Sequence, residues 1–490
     1  MIATGSRSGN TSSSCARRGV RSRRARPAAR DASRVRGTST GTSSADDPHT
    51  SAGESGRRGR AGVSAGEGGV GSRARVGETG AVTTWDLADL LARLRTDDPG
   101  PAREDAPVAV DAADRLLLDE AAPWLRGVGP GAVSVVDDRY GALTLGAALL
   151  AGAAADGATR APAGAQKDGA PGAQRAPVRV HQDACTAEAA LDANAAALGM
   201  TGAYARHGLD GALLAGARVV LLRLPRGLAA LRDVAEHVAR EAGPDVVLLA
   251  GGRVKHMTHA MNDVLAESFG DVSASLARGK SRVLVASSPR PVRGDLTYPV
   301  TSDLPDVALR VVAFGAAFAG AGLDLGTRFL LEQLDAPDGR LPGTEPRDVV
   351  DLGCGTGLLA AWAARRWPGA RVVAADRSDA AVRSAALTAT ANGVGDRVRT
   401  VRDDAGATLA DASADVVLLN PPFHDGAALR TDAAHRMFAT AGRVLRPGGA
   451  LWCVWNSHLR YRPALERAVG PTTQVARGPR FTVTRSLRRP

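Results

Sequence analysis

"RDVVDLGCGTGLLAAWAARR", residues 347–366, is the stretch on which the reading of the fold turns. Its apolar opening predicts a strand, its Ala- and Leu-rich close predicts a helix, and a glycine-rich turn joins them. Asp351, Gly353, Gly355 and Gly357 give that turn the pattern D-x-G-x-G-x-G. Glycines there let a ligand approach the backbone closely, and the first turn of the following helix offers unpaired N–H groups.

The same alternation continues downstream. "ARVVAADRSDAAVRSAALTATANG" is a strand ending in Asp376, then a helix, and "DRVRTVRDDA" is a strand ending in Asp403–Asp404. "ADVVLLNPPFHDG" follows, then a helix expected to end at Gly448–Gly449, and the strands "ALWCVWNS" and "RFTVTRSL". Upstream, "AVSVVDD" (132–138), "VRVHQD", "RVVLLRLP", "DVVLLAGG" and "SRVLVAS" are strands, separated in the same way by "ALTLGAALLAG", "AEAALDANAAAL" and "LAALRDVAEHVAREA". Strands alternating with helices predict mostly parallel sheets covered on both faces. The expected architecture is α/β, with two tandem Rossmann-like domains of similar plan, residues 81–300 and 301–490. They follow a disordered Arg/Ser/Gly-rich tail, residues 1–80, and residues 151–177 read as a low-complexity insertion.

Composition narrows the function classes. Of the net charge of +11, residues 1–80 contribute +9, so the basic balance belongs to the tail and does not mark a basic groove. The four cysteines (Cys15, Cys185, Cys354, Cys453) contain no C-x-x-C pair. That spacing predicts neither a disulfide framework nor a metal site, and it fits a reducing, cytoplasmic setting. No apolar run approaches membrane-spanning length, so no membrane association is expected.

The strand "VVLLNPPF" (416–423) ends on two prolines. Pro421 and Pro422 have no N–H, so the ladder stops, and Asn420 is held extended at the carboxyl edge of a sheet. That edge is where open α/β folds place ligands. The glycine spacing argues against a dinucleotide, because position 358, where G-x-G-x-x-G needs glycine, is Leu358. An acid before the first glycine fits a ligand with an amino-acid end, such as S-adenosylmethionine. Asp376, 25 residues beyond Asp351, would hold ribose hydroxyls, and Asp403 or Asp404, with Asp404 favoured, would meet the adenine amino group.

Residues 310–490 resemble the class I S-adenosylmethionine-dependent methyltransferases. Within them, residues 85–490 resemble the ribosomal RNA guanine-N2 methyltransferases with tandem methyltransferase-like domains. "GLDLGTRFLLEQL", "VDLGCGTG", "NPPFH", "LRPGGALW" and "NSHLRY" carry the likeness, while "LPRGLAAL" and "SLARGKSR" tilt it toward the large-subunit (23S) type over the small-subunit (16S) type. The resemblance implies methyl transfer to a guanine N2 of ribosomal RNA, either naked or in an assembly particle. Asn420 and the Pro421 carbonyl would orient the amino group, Pro422 would stiffen the loop, and Phe423 would stack on the base. It places Asn456, His458 and Tyr461 in support of the pocket. A protein N5-glutamine methyltransferase poses the same chemical problem, and a non-catalytic RNA-binding scaffold is the rival from another class.

The first domain is expected to be a degenerate, non-catalytic copy. Aligning Gly141 with Gly357 sets Asp137 at the place of Gly353 and Arg139 at Gly355, and aligning "LLRLPR" with "LLNPPF" sets Arg223 at Asn420. Arg223, Arg226, Lys255, Arg278, Lys280 and Arg282 are then candidates for contact with RNA phosphates.

Overall fold

The computed structural model describes residues 86–96, 108–158, 176–336, 345–422 and 427–490. Its first sheet is built from β1 (Val133–Val136), β2 (Val178–His181), β3 (Tyr204–Arg206), β4 (Val219–Arg223), β5 (Val247–Arg253), β6 (Phe269–Ala274) and β7 (Ser281–Pro289). A hairpin of β8 (Val300–Leu304) and β9 (Leu309–Ala313) follows. The second sheet comprises β10 (Asp348–Leu352), β11 (Arg371–Asp376), β12 (Val398–Arg402), β13 (Ala414–Leu419), β14 (Leu445–Asn456), β15 (Thr472–Arg477) and β16 (Phe481–Leu487).

The sheets share one plan. Their strand orders are β3-β2-β1-β4-β5-β7-β6 and β12-β11-β10-β13-β14-β16-β15, parallel except for β7 and β16, which run against both neighbours. The central strands are Val/Leu-rich and buried on both faces, as a covered parallel sheet demands. On the second sheet, helices Leu325–Leu334 and Leu358–Arg366 pack one face around Trp362, Trp367 and Trp452, while helix Ala427–Val444 packs the other through Met437 and Phe438.

Two sequence expectations shift. The helix expected to reach Gly448–Gly449 stops at Val444, because Leu445 pairs with Ala414 and opens β14. Pro447 could not continue the helix in any case, since its ring would meet the carbonyl of Arg443. The edge strands β3, β6 and β15 and the hairpin β8–β9 were not foreseen. The tail, residues 1–80, and most of the insertion, residues 159–175, lie outside the described residues. Among the described residues, no helix is long and apolar enough to cross a membrane.

Both sheets lie in one compact unit, residues 81–490, and they meet through equivalent loops. The N–H of Asp137 donates to His181 O at 3.0 Å, as the N–H of Gly353 donates to Ala375 O at 2.8 Å. That match pairs Gln182 with Asp376 and Ala184 with Ser378 by position. Ala184 and Ser378 form an antiparallel bridge, flanked by Cys185 N–H to Arg377 O (3.0 Å) and Asp379 N–H to Asp183 O (2.8 Å). Ala184 thus touches its own counterpart and the two flanking bonds exchange under the match, the isologous pattern of a two-fold axis, here within one chain. Arg402 fastens the contact, donating to Glu188 Oε1 at 2.9 Å and to the Asp183 carbonyl at 3.1 Å.

Candidate active site

The glycine turn leaves β10 with Gly353, Gly355 and Gly357 all at positive φ (74°, 52° and 74°). A Cβ on Gly357 would stand 2.6 Å from Cα and Cβ of Ala385, so glycine there lets helix Asp379–Ala391 seat against the turn. A Cβ on Gly355 would meet nothing within 4 Å. That open side faces a pocket lined by Gly353, Gly355, Thr356, Asp324, Thr327 and Asn420. The structure therefore brings the glycine turn and Asn420 to one cavity.

Asn420 follows β13 at the carboxyl edge, and its side chain is fixed by residues the sequence reading did not single out. Its Nδ2 donates both hydrogens, to Asp324 Oδ2 at 2.9 Å and to Thr327 Oγ1 at 3.0 Å. Turning the amide over would set its oxygen against the Asp324 carboxylate, so the orientation follows from charge. Its Oδ1 is buried and has no hydrogen-bond partner. Asp324 caps helix Leu325–Leu334, accepting from the N–H groups of Gly326 (2.9 Å) and Thr327 (3.0 Å). A Cβ on Gly326 would lie 3.0 Å from Asp324 Oδ2 and 3.3 Å from Asn420 Oδ1, so only glycine allows this approach without displacement. The signal was the D-x-G-T run within "GLDLGTRFLLEQL", which reads from sequence as a capped helix start.

The predicted acids take different places. Asp351 is almost fully buried and accepts from Ala360 N–H at 2.9 Å. Asp376 accepts from the N–H groups of Gly355 and Ser378, each at 3.0 Å, which ties the second strand to the glycine turn. Burial raises its pKa above the usual carboxylate value. Asp403 is consumed by the fold, accepting from Thr408 N–H (2.7 Å) and Oγ1 (2.8 Å). Asp404 instead is half-buried and paired with Arg436 at 3.3 Å. Neither Asp351, Asp376 nor Asp404 lines the pocket itself. Pro421 is buried and Pro422 exposed; Phe423 lies outside the described residues.

Burial pushes the carboxyl of Asp351 up to about 7, with the nearby Asp376 adding to the shift. A raised folded-state value means that the neutral acid is the form the fold favours. Its stabilisation is full below the ordinary value of 3.8 and is lost as pH rises through about 7. The thermal midpoint is therefore expected to fall between about pH 4 and pH 7. The fall should shrink in Asp351→Asn, whose amide oxygen can still accept from Ala360. Equal slopes in the two proteins would remove Asp351 as the source.

The equivalent place in the first sheet is filled. Asp137 keeps the left-handed conformation of Gly353 (φ 61°) but carries a side chain, whose Oδ1 accepts from Asp183 N–H at 3.0 Å. Arg223 stands where Asn420 stands, by the register of β4 on β1 and of β13 on β10. It pairs with Asp111 at 2.6 Å and with Asp114, the two acids of the capping box on helix Ala112–Leu125. That corrects its expected role as a phosphate contact, because its charge is spent inside the fold. Arg278 likewise pairs with Asp119 and Glu120. Tyr461 is buried against Phe438 and Trp455, whereas His458 is exposed.

Comparison with known proteins fits this geometry. Residues 308–485 match the family model "Methyltransferase small domain", and residues 171–290 match "RLMG N-terminal domain". A ribosomal RNA large subunit methyltransferase G of Streptomyces griseus is 33% identical over 432 residues, covering 83% of this chain and 99% of that protein. One from Pseudomonas syringae is 34% identical over 390 residues, covering 79% and 95%. The solved T. thermophilus 16S rRNA N2 G1207 methyltransferase, in complex with AdoMet and guanosine, aligns with a TM-score of 0.58 over 77% of this chain and 92% of its own. At 22% identity it attests the fold. With this coverage by full-length relatives, the chain belongs to the ribosomal RNA large subunit methyltransferase G family.

Proposed function

We propose that the chain transfers a methyl group from S-adenosylmethionine to the exocyclic N2 amino group of a guanine in large-subunit ribosomal RNA. One observation carries the reading most directly: a buried amide oxygen, Asn420 Oδ1, left without a partner while its Nδ2 is held by two acceptors. A buried acceptor of this kind costs about 1–3 kcal/mol unless a ligand donor meets it. An amino group in the plane of a purine is such a donor.

The residues present fit the cofactor. The open side of Gly355 gives it room beside the backbone, Asp376 and Asp404 stand at the strand ends for its ribose and adenine, and Asp351 stiffens the turn from below. When bound, S-adenosylmethionine supplies an electrophilic methyl group. The guanine N2 lone pair is delocalised into the ring, so the amino group is a poor nucleophile. Hydrogen bonds from it to Asn420 Oδ1 and the Pro421 carbonyl orient the lone pair and stabilise positive charge developing on nitrogen. Pro422 stiffens the corner, and Phe423 stacks on the base. No strong base is needed, since a methylated amino group loses its extra proton readily. A base in folded RNA has to be unstacked to enter the pocket.

In the same reading residues 301–490 are the catalytic domain, and residues 81–300 are a copy that has lost the chemistry. Side chains at positions 137 and 223 support this, since an arginine has no acceptor to offer an amine. A cytoplasmic location, where ribosomal RNA is met, belongs to the proposal. The test is transfer of labelled methyl to ribosomal RNA from cells lacking the gene, offered both deproteinised and as large-subunit particles. Digestion should yield N2-methylguanosine from 23S RNA; label in 16S RNA or in protein would overturn the assignment.

A further inference from the structure

The second sheet carries a cluster of exposed cations that the site does not use. β14 runs parallel to β13, with Cys453 beside Leu419, and continues three residues further to Asn456. Beyond it, the turn Ser457–Leu459 carries exposed His458 and ends at exposed Arg460. Ser457 N–H donates to Arg480 O at 2.8 Å, which fixes the β15–β16 hairpin at the same edge, and Arg477 and Arg480 are exposed there. Gly478 of this hairpin approaches the Phe329 ring of the helix that Asp324 caps, so the rim is braced on the element that holds Asn420.

Two features describe this cluster of cations. The segments 456–461 and 472–482 contain no acidic residue. Arg328, Arg443, Arg446 and Arg462 of the same half each pair with a carboxylate, whereas Arg460, Arg477 and Arg480 have no ion-pair partner among the described residues. Arg460 is also held at φ 50°, a left-handed conformation that a side chain adopts only at a cost. Strands lie about 4.8 Å apart, so Arg480 and Arg477 stand roughly 10 and 15 Å along the edge from the β13 column that ends at Asn420. At about 3.4 Å per nucleotide that is the reach of three or four residues of a strand.

We propose that His458, Arg460, Arg477 and Arg480 form a rim that grips the phosphodiester backbone of RNA flanking the target nucleotide. The inference rests on the reading that the substrate is RNA. Phosphate contacts fix register and leave sequence unread, so the rim positions the strand while the pocket receives the base.

The test uses the full chain and its Arg460→Asn/Arg477→Gln/Arg480→Gln variant, asparagine being chosen because it tolerates the left-handed backbone. Binding of a fluorescein-labelled single-stranded RNA is followed across a potassium chloride series. Three lost phosphate contacts should lower the slope of log affinity on log salt by about two and weaken binding roughly tenfold or more at low salt. Unchanged thermal midpoint and S-adenosylmethionine affinity would show that the fold is intact. Parent-like slope and affinity would overturn the proposal. So would a loss confined to Lys255→Gln/Lys280→Gln, the equivalent corner of the first sheet. Methyl transfer by the parent is measured separately. A changed slope with no transfer by the parent would sustain the rim and refute base methylation.

Discussion

Replacing Asn420 with alanine is expected to lower single-turnover methylation of ribosomal RNA by about a thousandfold, the scale seen when one preorganised transition-state contact is removed. S-adenosylmethionine affinity, measured by calorimetry, should stay near that of the parent. The split follows from geometry. The amide oxygen is buried and left without a hydrogen-bond partner, while its nitrogen is spent on Asp324 and Thr327. Asp324→Ala should fall between the parent and Asn420→Ala, losing about one to two powers of ten, because the oxygen survives but its amide loses one of its two anchors. Turnover close to the parent in Asn420→Ala would show that the oxygen does not orient the amino group. Equal loss of turnover and cofactor affinity would place Asn420 in cofactor binding.

Gly355→Arg should abolish detectable cofactor binding, a loss of at least about a hundredfold, while the chain still folds. A side chain at this position projects into open space and meets no atom of the protein within 4 Å. Fold stability should drop only by the cost of a left-handed arginine, about 1–2 kcal/mol. The substitution installs the residue that the first half carries at position 139. Gly357→Arg is the informative contrast, because its Cβ would collide with the backbone of Ala385 and the loss there would be one of folding. Calorimetry with S-adenosylmethionine, beside thermal melts, separates the cases. Ordinary affinity in Gly355→Arg would exclude the glycine turn as the cofactor site.

Much of the architecture was legible because the parallel core writes itself plainly. "VVLL" and "DVVDL" are buried on both sides and leave no ambiguity of register. β6 and β15 escaped notice for the opposite reason. Each buries only its first residue fully, so no alternation marks it, and pairing with β7 or β16 decides its state. The site was half legible. Gly353, Gly355, Gly357 and Asn420 announce themselves by spacing and by the prolines, yet Asp324 and Thr327 lie 96 and 93 residues from Asn420. No local pattern states that a helix cap will clamp an amide at that distance. Arg223 misled for a related reason: its charge was visible, but the capping box of Asp111 and Asp114 that neutralises it became evident only in three dimensions.

The internal dyad has a consequence for how such a molecule can change. In a true homodimer every substitution is made twice, and a harmful one is felt on both sides of the axis. Here the loop after the second strand of each half leans on its twin, through Asp183 and Ala184 on one side and Arg377 and Ser378 on the other, yet each is encoded once. One twin is thereby free to become a buttress. The other rests on it through Ser378, whose N–H donates to Asp376, so trimming the chain to its second half would take away the wall beside the glycine turn.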